Sequence, residues 1–140
     1  MNVTIGETRD IEACHALRLE VFVLEQGVPL DEEIDTLDDS AIHLLAMDEG
    51  EPVGTARLLV QGDVGKIGRV CVLQRYRGAG LGAALLEAAV ARLRQEPSVT
   101  RLKLSAQVTA VGFYEKLGFA AEGPEYPDGG IAHRDMFRPL

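Results

Sequence analysis

Several features are scarce in this chain of 140 residues, and each scarcity excludes some classes of protein. There is no tryptophan, only 5% of the residues are aromatic, and the two cysteines, Cys14 and Cys71, are too few for a disulfide framework. We therefore expect two buried, reduced thiols and no metal site. No apolar run approaches the roughly 20 residues of a membrane-spanning helix, and no charged and apolar leader pattern opens the chain. These absences predict a cytoplasmic protein with no membrane partner.

Positive charge is also scarce, and it is unevenly distributed. The chain has 14 Lys and Arg against 22 Asp and Glu, which gives a net charge of −8. This balance argues against nucleic acid as a partner. Residues 1–65 carry 15 acidic and 3 basic side chains, whereas residues 66–140 carry 7 acidic and 11 basic ones. An anionic ligand is therefore expected to bind in the second half of the chain.

The hydrophobic pattern predicts one domain, residues 1–140, in which strands and helices alternate. At 46% hydrophobic residues, a chain of this length is able to build a single core. A first helix is predicted before Pro29, with an apolar face that extends from Ile11 to Leu24. Strands are predicted at 2–6, 41–47, 53–60, 66–73, 100–105, 119–122 and 133–137, and further helices at 81–95 and 110–117. This order indicates a mixed α/β fold around one central sheet.

A glycine-rich segment, residues 77–82 (Arg-Gly-Ala-Gly-Leu-Gly), lies between the predicted strand at 66–73 and the helix at 81–95. A strand that runs through such a turn into a helix directs several backbone N–H groups and the positive end of the helix dipole at one point. Glycine lets the backbone approach a ligand without obstruction by a Cβ atom. The segment therefore predicts a site for a phosphate-bearing cofactor. The alternative, a tight turn without a ligand, is disfavoured by Arg75 and Arg77 beside the glycines.

Two common phosphate-binding motifs do not explain this segment. Gly78, Gly80 and Ala83 satisfy the G-x-G-x-x-G/A fingerprint of dinucleotide-binding domains, but that site also requires an acidic residue about 20 positions later. The strand predicted at 100–105 contains no acidic residue. No Gly-Lys-Ser/Thr follows the turn, which excludes a nucleoside-triphosphate loop. The phosphate therefore belongs to another kind of cofactor.

The remaining pattern, Arg-x-x-Gly-x-Gly after Val-Cys-Val, resembles the pyrophosphate-binding motif of the GNAT superfamily of acetyl-CoA-dependent N-acyltransferases. Here residues 77–82 form the motif and residues 70–72 supply the preceding triplet. A second block agrees with it, because Leu-Ser-Ala-Gln at 104–107 precedes Phe-Tyr-Glu-Lys-Leu-Gly-Phe at 113–119. The two blocks together are far more specific than either one.

The resemblance narrows to the ElaA-like branch of that superfamily. The residues that carry it are Leu17-Arg18, Val21-Phe22-Val23, Glu25-Gln26, Pro29, His43, Ala56-Arg57, residues 67–70, Ala106-Gln107, Asp128-Gly129-Gly130-Ile131, His133 and Met136. They extend over almost the whole chain. An Arg-x-x-Val-Phe opening, here at 18–22, also occurs in acyl-homoserine lactone synthases, which have a related fold and use acyl donors.

The resemblance implies both a fold and a cofactor site. The fold is that of the GNAT acyl-CoA N-acyltransferases, a central, mostly antiparallel sheet flanked by helices, in which strands 67–73 and 100–105 splay apart to admit the pantetheine arm. The co-substrate is acetyl-CoA. The implied cofactor-binding residues are Val70, Cys71, Val72, Arg77, Gly78, Ala79, Gly80, Leu81, Gly82, Ala83 and Gln107.

Acyl transfer to an amine requires a base for the amine and benefits from an acid for the departing thiolate. Backbone N–H groups near residues 70–72 are suited to polarise the thioester carbonyl. Tyr114 matches the superfamily's tyrosine that protonates the CoA sulfur, and Phe113 beside it is expected in the core. Many relatives carry a glutamate where this chain has Gly68, so the base remains open. The alternatives for it are Glu33, Asp35, His43, His133 and water.

Residues 31–39 contain six carboxylates in nine residues, and two interpretations of this acidic segment remain open. Either the segment attracts a cationic acceptor, or it is a solvated loop that serves solubility. Arg18 and Arg69 either bind substrate or, as we prefer, hold the acidic segment through ion pairs. The residues assigned to the acceptor are Glu33, Asp35, His43, Arg69 and His133.

These patterns predict an N-acetyltransferase that moves an acetyl group directly to a primary amine of a small, cationic acceptor, without an acyl-enzyme. Two alternatives remain, namely a non-catalytic CoA-binding module and an acyltransferase with a longer acyl donor. A homodimer is compatible with the sequence, which does not decide the oligomeric state.

Overall fold

The structure is a computed structural model, and it describes residues 2–140. Within these residues, seven strands form one sheet, accompanied by four α-helices. The strands are β1 (Val3–Thr8), β2 (Ile42–Asp48), β3 (Glu51–Gln61), β4 (Val64–Val72), β5 (Arg101–Gln107), β6 (Ala120–Asp128) and β7 (Ile131–Pro139). The helices are α1 (Ile11–Arg18), α2 (Leu30–Glu33), α3 (Leu81–Leu93) and α4 (Val111–Lys116).

The order of the strands in the sheet is β1-β2-β3-β4-β5-β7-β6. All neighbouring pairs are antiparallel except β4 and β5, which run parallel and are connected through α3. Parallel neighbours need such a crossover, because a short hairpin joins only antiparallel strands. The predicted fold class, a mixed and mostly antiparallel sheet flanked by helices, is confirmed.

The sheet opens between its two parallel strands. The last paired residues of β4 and β5 are Ile67 and Leu104. Beyond them β4 still pairs with β3 as far as Val72, and β5 still pairs with β7 as far as Gln107. The two strands therefore diverge, as the GNAT resemblance implies. Within residues 2–140, the stretch 68–72 of β4 has no strand partner on the side that faces β5.

Helices α1 and α3 cover opposite faces of β3. Two consecutive residues of β3 show this, because neighbours on a strand point to opposite faces. A Cβ atom at Gly54 would lie 3.1 Å from Leu85 of α3, whereas the Thr55 side chain contacts Cys14 of α1. The apolar face predicted for α3 is buried, with Leu81, Leu85, Leu86, Ala89, Val90 and Leu93 directed into the core.

The first helix departs from its predicted shape in its second half. It is α-helical only to Arg18 and continues as a π-helix over Leu19–Glu25, where the amide of Gln26 donates to the carbonyl of Val21. The wider π turn changes which side chains face the sheet. Leu24, expected on the apolar face, is 72% exposed, so this part of the prediction is wrong.

Two further expectations differ from the structure. The acidic segment 31–39 is not an open loop, because it contains most of α2 and a 3₁₀ turn at Thr36–Ser40. Its side chains Glu33 and Asp38 are buried. Phe113, expected in the core, is 40% exposed and packs edge-on against its neighbour Tyr114.

The last two strands are longer than predicted. Pro124 and Pro127 lie inside β6, beyond the predicted end of this strand at residue 122. They are tolerated because β6 is the edge strand of the sheet, where a missing N–H breaks no ladder on the open side. The turn to β7 is formed by Gly129 and Gly130, which both have positive φ.

Candidate active site

The glycine-rich turn, residues 77–82, forms the beginning of α3. Gly78 and Gly80 have φ values of 84° and 82°, a region that residues with a Cβ atom rarely adopt. The first helical hydrogen bond runs from the amide of Ala84 to the carbonyl of Gly80, at 3.0 Å. The amides from Gly80 to Ala83 therefore precede the hydrogen-bonded ladder of the helix and are available to a ligand at its positive end.

Arg77 connects this turn to the π-helix. Its two terminal nitrogens donate to the Glu25 carboxylate at 2.6 and 2.7 Å, and its Nε donates to the Val72 carbonyl at 3.0 Å. The hydrogen bonds from Arg77 hold the pKa of Glu25 below its usual value. The guanidinium thus lies at the turn, with a carboxylate as its partner.

A cavity of about 270 Å³ occupies the gap where β4 and β5 diverge. It is bounded by the π-helix, α2, both diverging strands, α4 and the turn between β6 and β7. The residues that line it are Phe22, Gln26, Val28, Glu32, Glu33, Arg57, Leu59, Lys66, Ile67, Gly68, Arg69, Val70, Leu104, Ser105, Gln107, Ala110, Tyr114, Asp128, Gly129, Ile131 and His133. Charged groups of both signs therefore face a partly open cavity beside the open strand edge.

A β-bulge in β4 forms part of this wall. Gly68 pairs with Arg57 and Cys71 pairs with Thr55, so the two residues between them on β4, Arg69 and Val70, have a single counterpart on β3. Arg69 adopts φ of 50° there, which is unusual for a residue other than glycine. The bulge changes the course of β4 where the gap begins, a common feature next to functional sites.

A largely buried cluster of three arginines and three carboxylates adjoins the cavity, and Glu33, Arg57 and Arg69 of this cluster line its wall. Arg18, only 1% exposed, donates to Glu33 and Asp38, and Arg57 donates to Asp35 at 2.7 Å and to Asp38 at 3.2 Å. Arg69 donates to the Asp35 carboxylate at 3.3 Å and the Glu33 carbonyl at 3.1 Å. Ion pairs hold the acidic segment in place, which is the role we preferred for Arg18 and Arg69.

The arginines control the charge of these carboxylates. Burial alone would raise the pKa of Asp38, but hydrogen bonds from Arg18 and His15 outweigh it and hold that pKa far below its usual range. Burial and the nearby charges of Arg57 and Arg18 lower the pKa of Arg69. The inward half of the acidic segment is thus compensated, whereas Asp31, Glu32 and Asp39 remain exposed.

Tyr114 lies on the wall of the cavity. Its ring packs edge-on against Phe113 and Phe119, with centroid separations of 5.1 and 6.2 Å. Burial raises the pKa of the phenol, so the hydroxyl stays protonated at neutral pH. Tyr114 thus contributes a protonated phenol to the residues that line the cavity.

Of the five residues assigned to the acceptor, the structure brings three to the cavity. Glu33, Arg69 and His133 line it. His43 does not, because it is 3% exposed and its Nε2 bonds to the carbonyl of Asp38 at 2.9 Å. Asp35 also lies outside the lining, held by two arginines.

The residues assigned to the cofactor lie in two places: residues 77–83 lie at the start of α3, and the others lie at the diverging ends of β4 and β5. Val70 and Gln107 line the cavity, and the Gln107 amide donates to Gln26 at 2.8 Å. Cys71 and Val72 turn buried side chains into the core, so that only their backbone is able to serve a ligand. Burial raises the pKa of the Cys71 thiol to about 12, which makes it a poor nucleophile. Both cysteines are free and buried, as predicted.

The sequence did not point to Gln26, Ser105 or Asp128 as cavity residues with a role. Ser105 was recognisable in principle, because alternation along β5 places it on the same face as Gln107. Within residues 2–140, no group of three or more His, Cys, Asp or Glu side chains is arranged to hold a metal ion. In the same part of the chain, no helix has the length and apolar character that crossing a membrane requires.

Comparison with known proteins agrees with this geometry. The family model for the acetyltransferase (GNAT) domain matches residues 10–139. The chain is 40% identical over 137 residues to the Bacillus subtilis (strain 168) protein BSU40680, which is provisionally named an acetyltransferase, covering 95% of this chain and 92% of that one.

Two solved structures share both fold and sequence. An acyl-CoA N-acyltransferase from Pseudomonas aeruginosa superposes with a TM-score of 0.85 at 33% identity, covering 98% of each chain. Escherichia coli ElaA superposes with a TM-score of 0.87 at 27% identity, covering 98% of this chain and 99% of that one. The chain therefore belongs to the GNAT acetyltransferase family, and ElaA is among the proteins that it resembles.

Proposed function

We propose that this protein uses acetyl-CoA to acetylate a primary amine of a small, cationic acceptor, by direct transfer. The observation that carries the proposal is the gap between β4 and β5, which has an unpaired strand edge on one side and Tyr114 on its wall. Membership of the GNAT family and the similarity to an acyl-CoA N-acyltransferase support a CoA thioester as the donor.

The residues present fit coenzyme A. A Cβ atom at Gly78 or Gly80 would meet nothing within 4 Å, so the backbone amides at the start of α3 lie beside open space. The amides of residues 78–83 would hold the pyrophosphate, and Arg77 would add positive charge once it exchanges its Glu25 partner for phosphate. The open edge of β4 at residues 68–72 would pair with the pantetheine amides in the way that a strand does.

Two groups of this chain would act on the thioester. Backbone N–H groups at residues 70–72 would polarise its carbonyl, as in an oxyanion hole. Tyr114 would donate its phenolic proton to the departing sulfur. A covalent acyl-enzyme on Cys71 is disfavoured because that thiol is buried and protonated.

The size of the cavity and the two exposed carboxylates on its wall support a small cation as the acceptor. The volume of about 270 Å³ suits a small molecule. Because the arginine cluster neutralises the inner carboxylates, the attraction for an ammonium group comes from the exposed Glu32 and Asp128, which line the cavity. Of the acidic segment, only the exposed carboxylates then remain to attract a cationic acceptor.

Release of free CoA tests the proposal. The purified protein is incubated with acetyl-CoA and a panel of polyamines, amino acids, aminoglycosides and peptide N-termini, and the new thiol is measured. Release with at least one small cationic amine is expected. Binding of CoA without release by any amine would indicate a non-catalytic module, and faster release from a longer acyl-CoA would indicate a different donor.

A further inference from the structure

The base that removes the proton of the amine is not assigned by the family pattern, because the corresponding position is Gly68. The cavity offers few groups that accept a proton. Glu33 is 5% exposed and its carboxylate is engaged by Arg18 and Arg69. Glu32 and Asp128 are exposed carboxylates, and a solvated carboxylate is a weaker proton acceptor than an imidazole. His133 is therefore the remaining side chain of the cavity that is able to accept the proton of the amine.

The hydrogen bonds of His133 determine which ring nitrogen is basic. Its Nδ1 lies 2.7 Å from the carbonyl oxygen of Ile131. A carbonyl oxygen only accepts, so Nδ1 must carry the hydrogen of this bond. In the neutral ring Nε2 is then the nitrogen with the free lone pair, and it has no hydrogen-bond partner within residues 2–140. His133 lines the cavity, so a ligand bound there lies beside this imidazole ring.

The ring is also held in place from its face. It stacks on Tyr126 with a centroid separation of 6.2 Å and an interplanar angle of 24°. The Tyr126 hydroxyl donates to Asp135 at 2.6 Å and contacts Ser105, which fixes the tyrosine in turn. The register of the sheet sets Gln107 directly opposite His133. The imidazole is therefore preorganised on a rigid strand, as a catalytic base requires.

We propose that His133 is the general base, with Nε2 accepting a proton from the ammonium group of the acceptor. This assignment rests on the proposed function. The free amine then forms the C–N bond while the C–S bond breaks, and the sulfur takes the proton of Tyr114. The amide retains one nitrogen-bound hydrogen, and the second proton that the nitrogen loses restores the Tyr114 hydroxyl. His133 returns its proton to solvent, so one proton is released for each ammonium group that is acetylated.

Imidazole ¹⁵N spectra of the labelled protein test the tautomer without any turnover. We expect the His133 signals at high pH to show hydrogen on Nδ1 and a lone pair on Nε2, assigned by comparison with His133→Gln. A neutral ring with hydrogen on Nε2 would overturn the proposal, whether or not an acceptor is known.

Kinetics test the role itself, with the best amine found. His133→Gln should lower kcat by about 100-fold or more while leaving the affinity for CoA unchanged. Added imidazole should restore part of the activity of His133→Ala. Wild-type kcat in His133→Gln would overturn the assignment.

The structure contains a second route for the proton of the amine, and a variant distinguishes this route from His133. The contacts of Ser105, Tyr126 and Asp135 form a chain of hydroxyls that ends on a carboxylate, and this chain would carry the proton if His133 only packed against it. Tyr126→Phe breaks that chain but keeps an aromatic ring under His133. A loss in Tyr126→Phe as large as that in His133→Gln would overturn the proposal. If the wild-type protein acetylates no amine, the proposed function fails instead, and the tautomer experiment still reports on His133.

Discussion

Arg18 is a charged side chain with almost no contact with water, and its hydrogen bonds explain how it is tolerated. Nε donates to Glu33, and the terminal nitrogens donate to Asp38 at 2.8 and 3.2 Å. Removing one partner of such a buried pair leaves an uncompensated charge, which costs far more than the intact pair contributes. Arg18 therefore ties the acidic segment to α1.

Replacement of Asp38 tests this tie at the scale of one residue. Asp38→Asn keeps the size of the side chain but removes the charge opposite Arg18, so the free energy of unfolding should fall by about 3 kcal/mol. Urea denaturation at pH 7 measures the change. Asp39→Asn is the matched control, because the exposed carboxylate of Asp39 should contribute little to stability. Equal losses of stability in the two variants would contradict the stabilising role of the Arg18–Asp38 ion pair.

The same pair sets a direction for the pH dependence of stability. The pKa of Asp38 is lower in the folded protein than its usual value of 3.8, so the unfolded chain binds a proton more readily. The stabilisation is complete above about pH 4 and is lost as the pH falls toward the lower, folded pKa. Between pH 5 and 2 the stability of Asp38→Asn should therefore decline less steeply than that of the wild type, and parallel curves would refute the linkage.

Removal of a single oxygen atom, that of the Tyr114 hydroxyl, tests the proposed chemical role of this residue. Tyr114→Phe removes the hydroxyl and keeps the ring between Phe113 and Phe119. If the proton is needed in the transition state, kcat should fall by about 100-fold, with little change in KM for acetyl-CoA. Steady-state kinetics with the best amine would decide, provided that chemistry limits the rate. An unchanged kcat would reduce Tyr114 to a packing residue.

At the scale of the element, local sequence patterns predicted the strands and α3 well. They did not predict the features that depend on contacts between distant residues. The spacing of apolar residues in α3 follows from one helical face, so it can be read without a partner. The change to a π-helix at Leu19 has no local signal. Nor does the bulge at Arg69, where an arginine with positive φ forms ion pairs with Glu33 and Asp35, residues far from it in sequence.

The residues of the candidate site also divide into those that local sequence motifs predicted and those that depend on contacts between distant residues. The glycine-rich turn and Tyr114 were predicted from short motifs, whose spacing is set by one turn and one helix. Glu33 and His133 line the cavity, whereas His43 does not. This difference depends on how distant parts of the chain pack together, including which strands become neighbours. Charge pairing of the acidic segment joins residues 15 or more positions apart, and composition alone does not reveal it.

The turn at the start of α3 makes a prediction about a single glycine. Gly80→Ala places a Cβ atom at φ 82°, which should cost about 1–2 kcal/mol in stability and should also obstruct the phosphate. Gly50→Ala is the control, since Gly50 has φ 87° and equally open surroundings. Both variants should lose similar stability, but calorimetry should show weaker CoA binding only for Gly80→Ala. Weaker binding in both, or in neither, would contradict the assigned role of the turn.

At the scale of the whole molecule, the two halves of the chain carry opposite charge and meet at the cavity. Glu32 of the acidic half and Asp128 face it together with Lys66 and Arg69. The exposed carboxylates of the acidic half would raise the local concentration of the proposed cationic acceptor, and this effect would weaken as salt is added.

Charge neutralisation tests this effect. The double variant Asp31→Asn, Glu32→Gln removes two exposed charges and should raise KM for the amine about threefold or more, with a flatter dependence on salt. Its affinity for acetyl-CoA should not change. Glu87→Gln, at an exposed position of α3, serves as the control. If both proteins keep the wild-type KM, the exposed carboxylates act only as a solvated surface.

The interruption between β4 and β5 has one more consequence, for the exchange of backbone hydrogens with solvent. A sheet normally protects its central strands best, yet β4 presents an open edge at residues 68–72 in the middle of this one. The amides on that edge should exchange with deuterium quickly in the free protein and slowly once CoA lies along them. Amides of β3, paired on both sides, should hardly respond. The exchange pattern would then map the donor site strand by strand, before any acceptor has been found.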